Sequence, residues 1–337
     1  MKGLKFIDKV IFFVNTLAAF LLLVSYILPY VPPKTFSLLS VLSLAVPLLI
    51  FFNILFLLYW LFNVKKQLML SLIVLVLGFN YLTSIYKFTG SKTVVDTSNF
   101  SVMNYNVRLF NLFEWLPSKT VEADILAFIK RENPSIISFQ EYRKSVHFTL
   151  EGYEKFEYVS GEKVKSGQAI FSKFPIVNSG SITFPNTSNN AIFIDVVKEK
   201  DTIRIYNLHL QSSKVSTKVK DLQKEGSERL TKRIGEVFKI QQTQAELVMK
   251  HKAKSPYKTV ITGDFNNTAY SYVYNKIKGD YKDAFKVAGN GFGKTFDFNF
   301  IPLRIDFILA DNAFTVNGFK NYDVKLSDHY PVMAFLK

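Results

Sequence analysis

The 337-residue chain has no cysteine, so neither a disulfide framework nor a thiolate metal site is available to it. Any metal must be held by oxygen or imidazole, and only four histidines are present. Charge is missing from most of the first ninety residues: none occurs from Val10 to Pro33, from Thr35 to Val64 or from Gln67 to Tyr86. Each run is long enough to cross a bilayer as a helix, which takes about 20 apolar residues. Without an internal Asp, Glu, Lys, Arg or His, these runs lack the charges from which ion pathways are built. Asn15, Pro47 and Asn53 then read as helix-packing residues. Lys2, Lys5 and Lys9 precede the first run as they would in a signal peptide, but the run is long for one. Pro32-Pro33 follows it where a small-x-small cleavage site would stand.

The sequence therefore predicts a membrane anchor over 1–92 with three transmembrane helices, about 10–31, 36–63 and 67–86. Basic residues set its orientation. Lys2, Lys5 and Lys9 before the first run and Lys65 and Lys66 after the second outweigh Lys34 between them, although Lys87 and Lys92 partly offset the bias. The expectation is an integral protein of a bacterial inner membrane with residues 93–337 outside the cytoplasm.

The net charge is +15; eight lysines against Asp8 give the first 92 residues +7, leaving +8 for the remainder. That excess favours anionic substrates or an anionic lipid surface without choosing between them. Residues 87–97 read as a short polar linker. Strand-like runs follow at Phe100–Val107, Ser135–Gln140, Gln168–Ser172, Ala191–Val197, Thr202–Leu210, Thr259–Gly263, Arg304–Leu309 and Pro331–Leu336. Helical patterns lie at Thr120–Glu132, from about Glu228 to His251, and at Tyr270–Lys278. Strands and helices mixed over some 240 residues without a repeat indicate one α/β domain. A basic stretch from Ser212 to Arg233 reads as a solvated loop and first helical turn, with a lip toward phosphate or bilayer as the sharper alternative.

Six motifs put amides, carboxylates and imidazoles at strand ends: MNYNVR around Asn106, FQE ending at Glu141, NLHL around His209, TGDFN with Asp264 and Asn266, RIDFIL with Asp306, and SDHYPV with Asp328 and His329. Singly each is weak. In this order, and with GQAIFSKFPI, KIQQTQAELV and GKTFDFNFIPLRID between them, the chain resembles the endonuclease/exonuclease/phosphatase superfamily over 98–337. The resemblance implies a four-layer α/β sandwich, two packed β-sheets flanked by helices, with the site at one edge.

It also implies metal-dependent phosphoester hydrolysis, with Mg²⁺ or Mn²⁺ as cofactor. Asn106 and Glu141 would be the primary metal ligands. Asp264 would orient or deprotonate water, and Asn266 would position the water or the phosphate. Read as an extended segment, Asp264 and Asn266 point the same way, with Phe265 turned into the core. His209 and His329 would donate to phosphate oxygens, while Asp306 and Asp328 orient the imidazoles or contact metal. His147 and His251 read as surface residues, and Arg304 as a salt-bridge partner.

The leading expectation for partners is a phosphoester substrate, a phospholipid headgroup being the one a tethered site suits, and the lipid bilayer itself. Alternatives are a membrane-anchored nuclease acting on external DNA or RNA, and an inactive domain that binds phosphorylated ligands. No protein partner can be inferred.

Overall fold

A computed structural model describes residues 4–88, 98–162, 164–215, 226–298 and 301–337. Most of the expected linker, at 89–97, and the middle of the basic stretch, at 216–225, lie outside the described residues.

The chain opens with α1 (Phe6–Ser25) and a 3₁₀ turn at Leu28–Tyr30. The short α2 (Ser37–Ser40) runs through a second 3₁₀ turn into α3 (Val46–Phe62). Phe6–Tyr30 and Ser37–Phe62 are long and apolar enough to cross a membrane. The third expected span is shorter. Its helix α4 (Leu68–Leu77) ends at Gly78, and α5 (Phe79–Leu82) follows. Residues 68–82 rise about 22 Å, against a hydrocarbon core of roughly 30 Å. The break has a packing cause: a β-carbon at Gly78 would sit 1.9 Å from the Tyr26 hydroxyl oxygen, so only glycine admits that ring.

Inside, the bundle sets a polar cluster beside buried Ala19, Leu22, Val46 and Val74. Asn15 donates to Ser71 Oγ (2.7 Å) and accepts from Trp60 Nε1 (3.0 Å), while Ser71 donates to Asn53 Oδ1 (3.2 Å). Outside lie Phe13, Phe20, Phe51, Phe62 and Val76, all exposed. This inverts the arrangement that water imposes, and the amides act as the packing residues expected.

Two six-stranded mixed sheets follow. The first holds β6 (Ile176–Thr183), β7 (Asn190–Lys198), β8 (Asp201–His209), β9 (Lys258–Asp264), β10 (Lys282–Asp283) and β14 (Asp306–Ala310), in the order β10-β14-β9-β8-β7-β6. The second holds β2 (Phe100–Asn106), β3 (Ile136–Tyr142), β4 (Glu154–Ser160), β5 (Ser166–Ser172), β15 (Val316–Asn321) and β16 (Val332–Leu336), in the order β15-β16-β2-β3-β5-β4. Pairing is parallel between β2 and β3 and between β8 and β9, and antiparallel elsewhere.

Helix α6 (Val121–Glu132) covers the outer face of the second sheet through Ile125, Phe128 and Ile129. Helices α7 (Ser227–Lys252) and α8 (Tyr272–Lys278) cover the first through Ala245, Val248, Val273 and Ile277. The layers are those the resemblance implied. All the expected strands form, and in the two sheets β4, β6, β10 and β15 are additions.

Alternation decides what lies between the sheets, because side chains two apart share a face. Val102, Ile136, Ile205, Val260, Ile308 and Ala310 meet in a dry core. Toward one edge the same faces turn polar, running Val102, Asn104, Asn106 on β2 and Val260, Thr262, Asp264 on β9. The strands are built to be oily at one end and reactive at the other.

The bundle is seated on this domain. Lys34 pairs with Glu246 at 2.6 Å, Asn275 Nδ2 donates to Pro29 O, and the Tyr81 ring stacks on Tyr270. Strand β1 (Tyr86–Lys87) pairs with β11 (Gly291–Phe292), and buried Arg304 reaches Ser84 O while gripping Asp283 at 2.8 Å. Arg304 is thus the salt-bridge partner expected. Asp283 also accepts from Tyr274 Oη and from two backbone amides of the helix it caps. Replacing Asp283 with alanine strands a buried guanidinium, so Asp283→Ala should cost about 3–5 kcal/mol in chemical denaturation. Tyr274→Phe should cost about 1 kcal/mol; equal losses would mean that the ion pair is not what Asp283 supplies.

Candidate active site

Strand register builds the site. Asp264 is paired with His209 on one side and with Asp306 on the other, so three neighbouring strand ends set three functional side chains in one row. From the opposite sheet, Asn106 Nδ2 donates to Asp264 Oδ2 at 3.1 Å and to Glu141 Oε1 at 3.4 Å. Beneath, Asn104 Nδ2 donates to Asp306 Oδ1 (3.2 Å) and Thr262 Oγ1 to Ser138 Oγ (2.7 Å), while Gln140 bridges Asn104 and Asn207. All six of these supporting side chains or their acceptors are buried. A polar seam therefore joins the two sheets directly below the site.

Glu141 is aimed by a β-bulge. The register of β3 against β5 shifts between Gln140 and Tyr142, and Glu141 sits there at φ 47°. Such bulges redirect one side chain out of the alternation. Burial raises the proton affinity of its carboxyl, and among the described residues no Lys, Arg or His forms an ion pair with it.

The histidines differ. Burial opposes charging of His329, but Asp306 and Asp264 outweigh it and hold the imidazolium up to about 10. Its Nδ1 lies 2.9 Å from Asp306 Oδ2, and its Nε2 lies 3.7 Å from Asp264 Oδ2. His209 is pushed the other way by burial, against the pull of Asp264 at 3.9 Å. The two imidazoles are thus biased in opposite senses, His329 toward its charged form and His209 toward its neutral one. Asp264 itself is raised to about 6, chiefly by burial, with His329 opposing.

Asn266 does not continue an extended strand. Beyond Asp264 the chain turns, with Asn266 at φ 49° and its N–H donating to Asp264 Oδ1 at 2.8 Å. An Asp accepting from the amide two residues on is a turn device. It still brings Asn266 Nδ2 within 3.3 Å of Asp264 Oδ2, and Phe265 is fully buried as expected. Asp328 lies at the rim rather than on an imidazole, paired with Arg108 Nη1 at 3.2 Å.

Three residues outside the expected set hold the site. Thr295 Oγ1 accepts from the N–H of both Ile305 and Asp306 at 3.0 Å. Ser327 Oγ donates to Asn106 O (2.9 Å) and accepts from His329 N (3.2 Å). Arg108 opens four consecutive left-handed residues, Arg108 to Asn111, φ 42° to 60°. Both hydroxyls stood inside recognised motifs, but their work is done toward backbone atoms, which residue spacing does not reveal.

The donors suit a hard divalent cation. Glu141, Asn106 and Asp264 present carboxylate and amide groups within one enclosed space, and Asp264, Asp306 and His329 bring ligand-type atoms within 4.8 Å of one another. Oxygen-rich sites with few protein ligands are what Mg²⁺ and Mn²⁺ take.

The family model described as Endonuclease/Exonuclease/phosphatase family matches residues 103–329, and residues 8–85 match a domain of unknown function. No curated protein matches the chain. Among solved structures it is similar to an endonuclease/exonuclease/phosphatase from Bacteroides vulgatus, at 20% identity over 72% of this chain and 99% of that one, TM-score 0.56. A mannosyl-6-phosphatase of Bacteroides thetaiotaomicron is 18% identical over 71% and 99%, TM-score 0.53. TDP2 of D. rerio, solved with a single-strand DNA product, is 14% identical over 71% and 99%, TM-score 0.52.

Removing the Thr295 hydroxyl leaves two buried amides without a partner. Thr295→Val should lose at least about 2 kcal/mol of stability in thermal or chemical unfolding; an unchanged midpoint would show that those amides find water instead.

Proposed function

Because the chain belongs to the endonuclease/exonuclease/phosphatase family, we propose that it is a Mg²⁺- or Mn²⁺-dependent phosphoester hydrolase working beside a membrane. Members of this superfamily are hydrolases of phosphoesters. The observation that carries the reading for this chain is the row of His209, Asp264 and Asp306 held against Asn106 and completed by the Asp306–His329 pair.

Glu141 and Asn106, with Asp328 at the rim, would hold the cation, which supplies charge neutralisation at phosphate oxygens and makes water more acidic. Asp264 orients the attacking water and accepts its proton, fixed by the Asn266 amide and by Asn106. His329, charged and clamped by Asp306, donates to a phosphate oxygen where negative charge grows. His209 faces the same space from the neighbouring strand and donates as a neutral imidazole. Arg108 adds a second positive group at the rim.

For the organisation we propose an anchor over 1–92 and a catalytic domain over 93–337, with that domain outside the cytoplasm. Asp8 accepts from Tyr59 Oη, which gathers the N-terminus and Lys65-Lys66 at one end of the bundle. The catalytic domain meets the other end, through Pro29, Lys34 and Ser84. Positive-inside orientation then sets the site on the outer face. A site held there suits phosphate carried by a lipid headgroup.

Glu141→Ala and His329→Ala should each abolish metal-dependent hydrolysis by the full-length protein, and a chelator should do the same to the wild type. Turnover surviving both substitutions would refute the site. Phospholipids, plasmid DNA, RNA and inositol phosphates presented with Mg²⁺ or Mn²⁺ decide the substrate, and preference for nucleic acid would replace the lipid reading with that of an external nuclease. A reporter fused after Lys337 that works only in the cytoplasm should be silent.

A further inference from the structure

A cavity of about 590 Å³ lies where the bundle meets the catalytic domain. One wall is the start of α3, with Leu48, Phe51 and Ile54. The other is formed by Ile85 and Phe88 after the third helix, and by Phe292 and Pro302 from the catalytic domain. Every lining residue is apolar or aromatic. Leu48, Phe51, Phe88 and Phe292 are exposed, so the cavity opens sideways rather than into the protein. Its size falls within the roughly 300–1,000 Å³ of small-molecule sites.

We propose that this cavity binds one acyl chain of a membrane phospholipid and so brings the phosphate of that lipid toward the catalytic edge. Two observations fix the occupant. The cavity follows α3 from Pro47 to Ile54, a descent of about 10 Å along the apolar bundle, into the depth where chains lie. Its wall is shared with the site: β12 (Phe296–Phe298) pairs with β13 (Ile301–Leu303), setting Pro302 opposite Asp297. In that hairpin Phe296 bridges His329 and packs its ring 4.9 Å from the imidazole. Phe292 is four residues from Phe296, roughly 13 Å of extended chain.

The assignment rests on the hydrolase reading for what befalls the phosphate, and on the cavity alone for the binding of the chain. The test separates the two. Full-length protein is purified in mild detergent and exchanged into dioleoylphosphatidylglycerol, and bound lipid is counted by native mass spectrometry. Hydrolysis of the dioleoyl and dihexanoyl forms is then compared. Ile54→Trp fills the cavity and Leu48→Trp blocks its mouth, the latter at an exposed position that spares packing.

The expected result is one retained lipid in the wild type, lost in both variants, with the dioleoyl-to-dihexanoyl ratio of kcat/KM falling at least tenfold. A ratio is insensitive to the fraction of folded enzyme. Lipid retained equally by wild type and both variants overturns the assignment, as does a cavity closed by a second copy of the chain with no lipid bound. Retained lipid that only the variants lose, with neither form hydrolysed by any protein, upholds the acyl site and counts against the lipid as substrate.

Discussion

The hydrogen bonds that cross between the two sheets are what the site depends on. A β-sandwich gains its stability by keeping water out of the space between its sheets, yet this one places four carboxylates and two imidazoles at the edge of that space. The conflict is resolved by gradation along each strand. Val102, Asn104 and Asn106, like Ile205, Asn207 and His209, pass from oil to amide to chemistry in steps of two. Amides and hydroxyls satisfy one another across the gap, Asn104 with Asp306 and Thr262 with Ser138, which pairs these buried polar groups and leaves Gln140 Oε1 as an exception among them. The same bonds lock the relative position of the sheets where a small slip would separate Asn106 from Asp264.

The seat of the helical bundle on the α/β domain is fixed with comparable economy. The turn that begins at Asp264 and Asn266 runs on to Tyr270, whose ring stacks on Tyr81 and whose hydroxyl donates to Tyr81 O. Tyr81 in turn stacks on Tyr26, the ring that ends the third helix at Gly78. The feature that shortens the third expected span is therefore part of the platform that carries the site. A full-length straight helix there would displace Tyr26, and with it the stacked tyrosines that lead to the Asp264–Asn266 turn.

How much of this was legible follows from where each signal lies. The strands read from the sequence include the central ones, β2, β3, β8 and β9, buried on both faces and so rich in apolar residues up to the polar end that carries the site. The unforeseen strands β4, β6, β10 and β15 are the four edges of the two sheets, where one side faces solvent and sequences such as EKFEYVS lose the pattern. Site residues carried by side-chain identity at strand ends could be named in advance. Thr295 and Ser327 act on backbone amides and carbonyls, and Asn266 depends on a turn, so their geometry emerges only with the fold. The third helix failed for a related reason: hydropathy reports composition, and Gly78 breaks the segment through a contact with a ring 52 positions away.

The left-handed run from Arg108 to Asn111 is where the fold spends stability for placement. Non-glycine residues adopt that conformation at a cost, and four in succession need external support. Support is present: Asn111 exchanges hydrogen bonds with Leu116 and reaches Ser118, Arg143 holds Leu109 O, and Phe110 is buried against Phe139, Tyr142 and Phe148. What the turn achieves is the swing of Arg108 back over the site, with its guanidinium 3.2 Å from Asp328 and 4.3 Å from the centre of the Trp115 ring. A regular turn would have sent that charge away from the edge. Strain at this point and a bulge at Glu141 are two local departures from regular structure that serve one end, since each turns a charged side chain toward the place where the row from the other sheet ends.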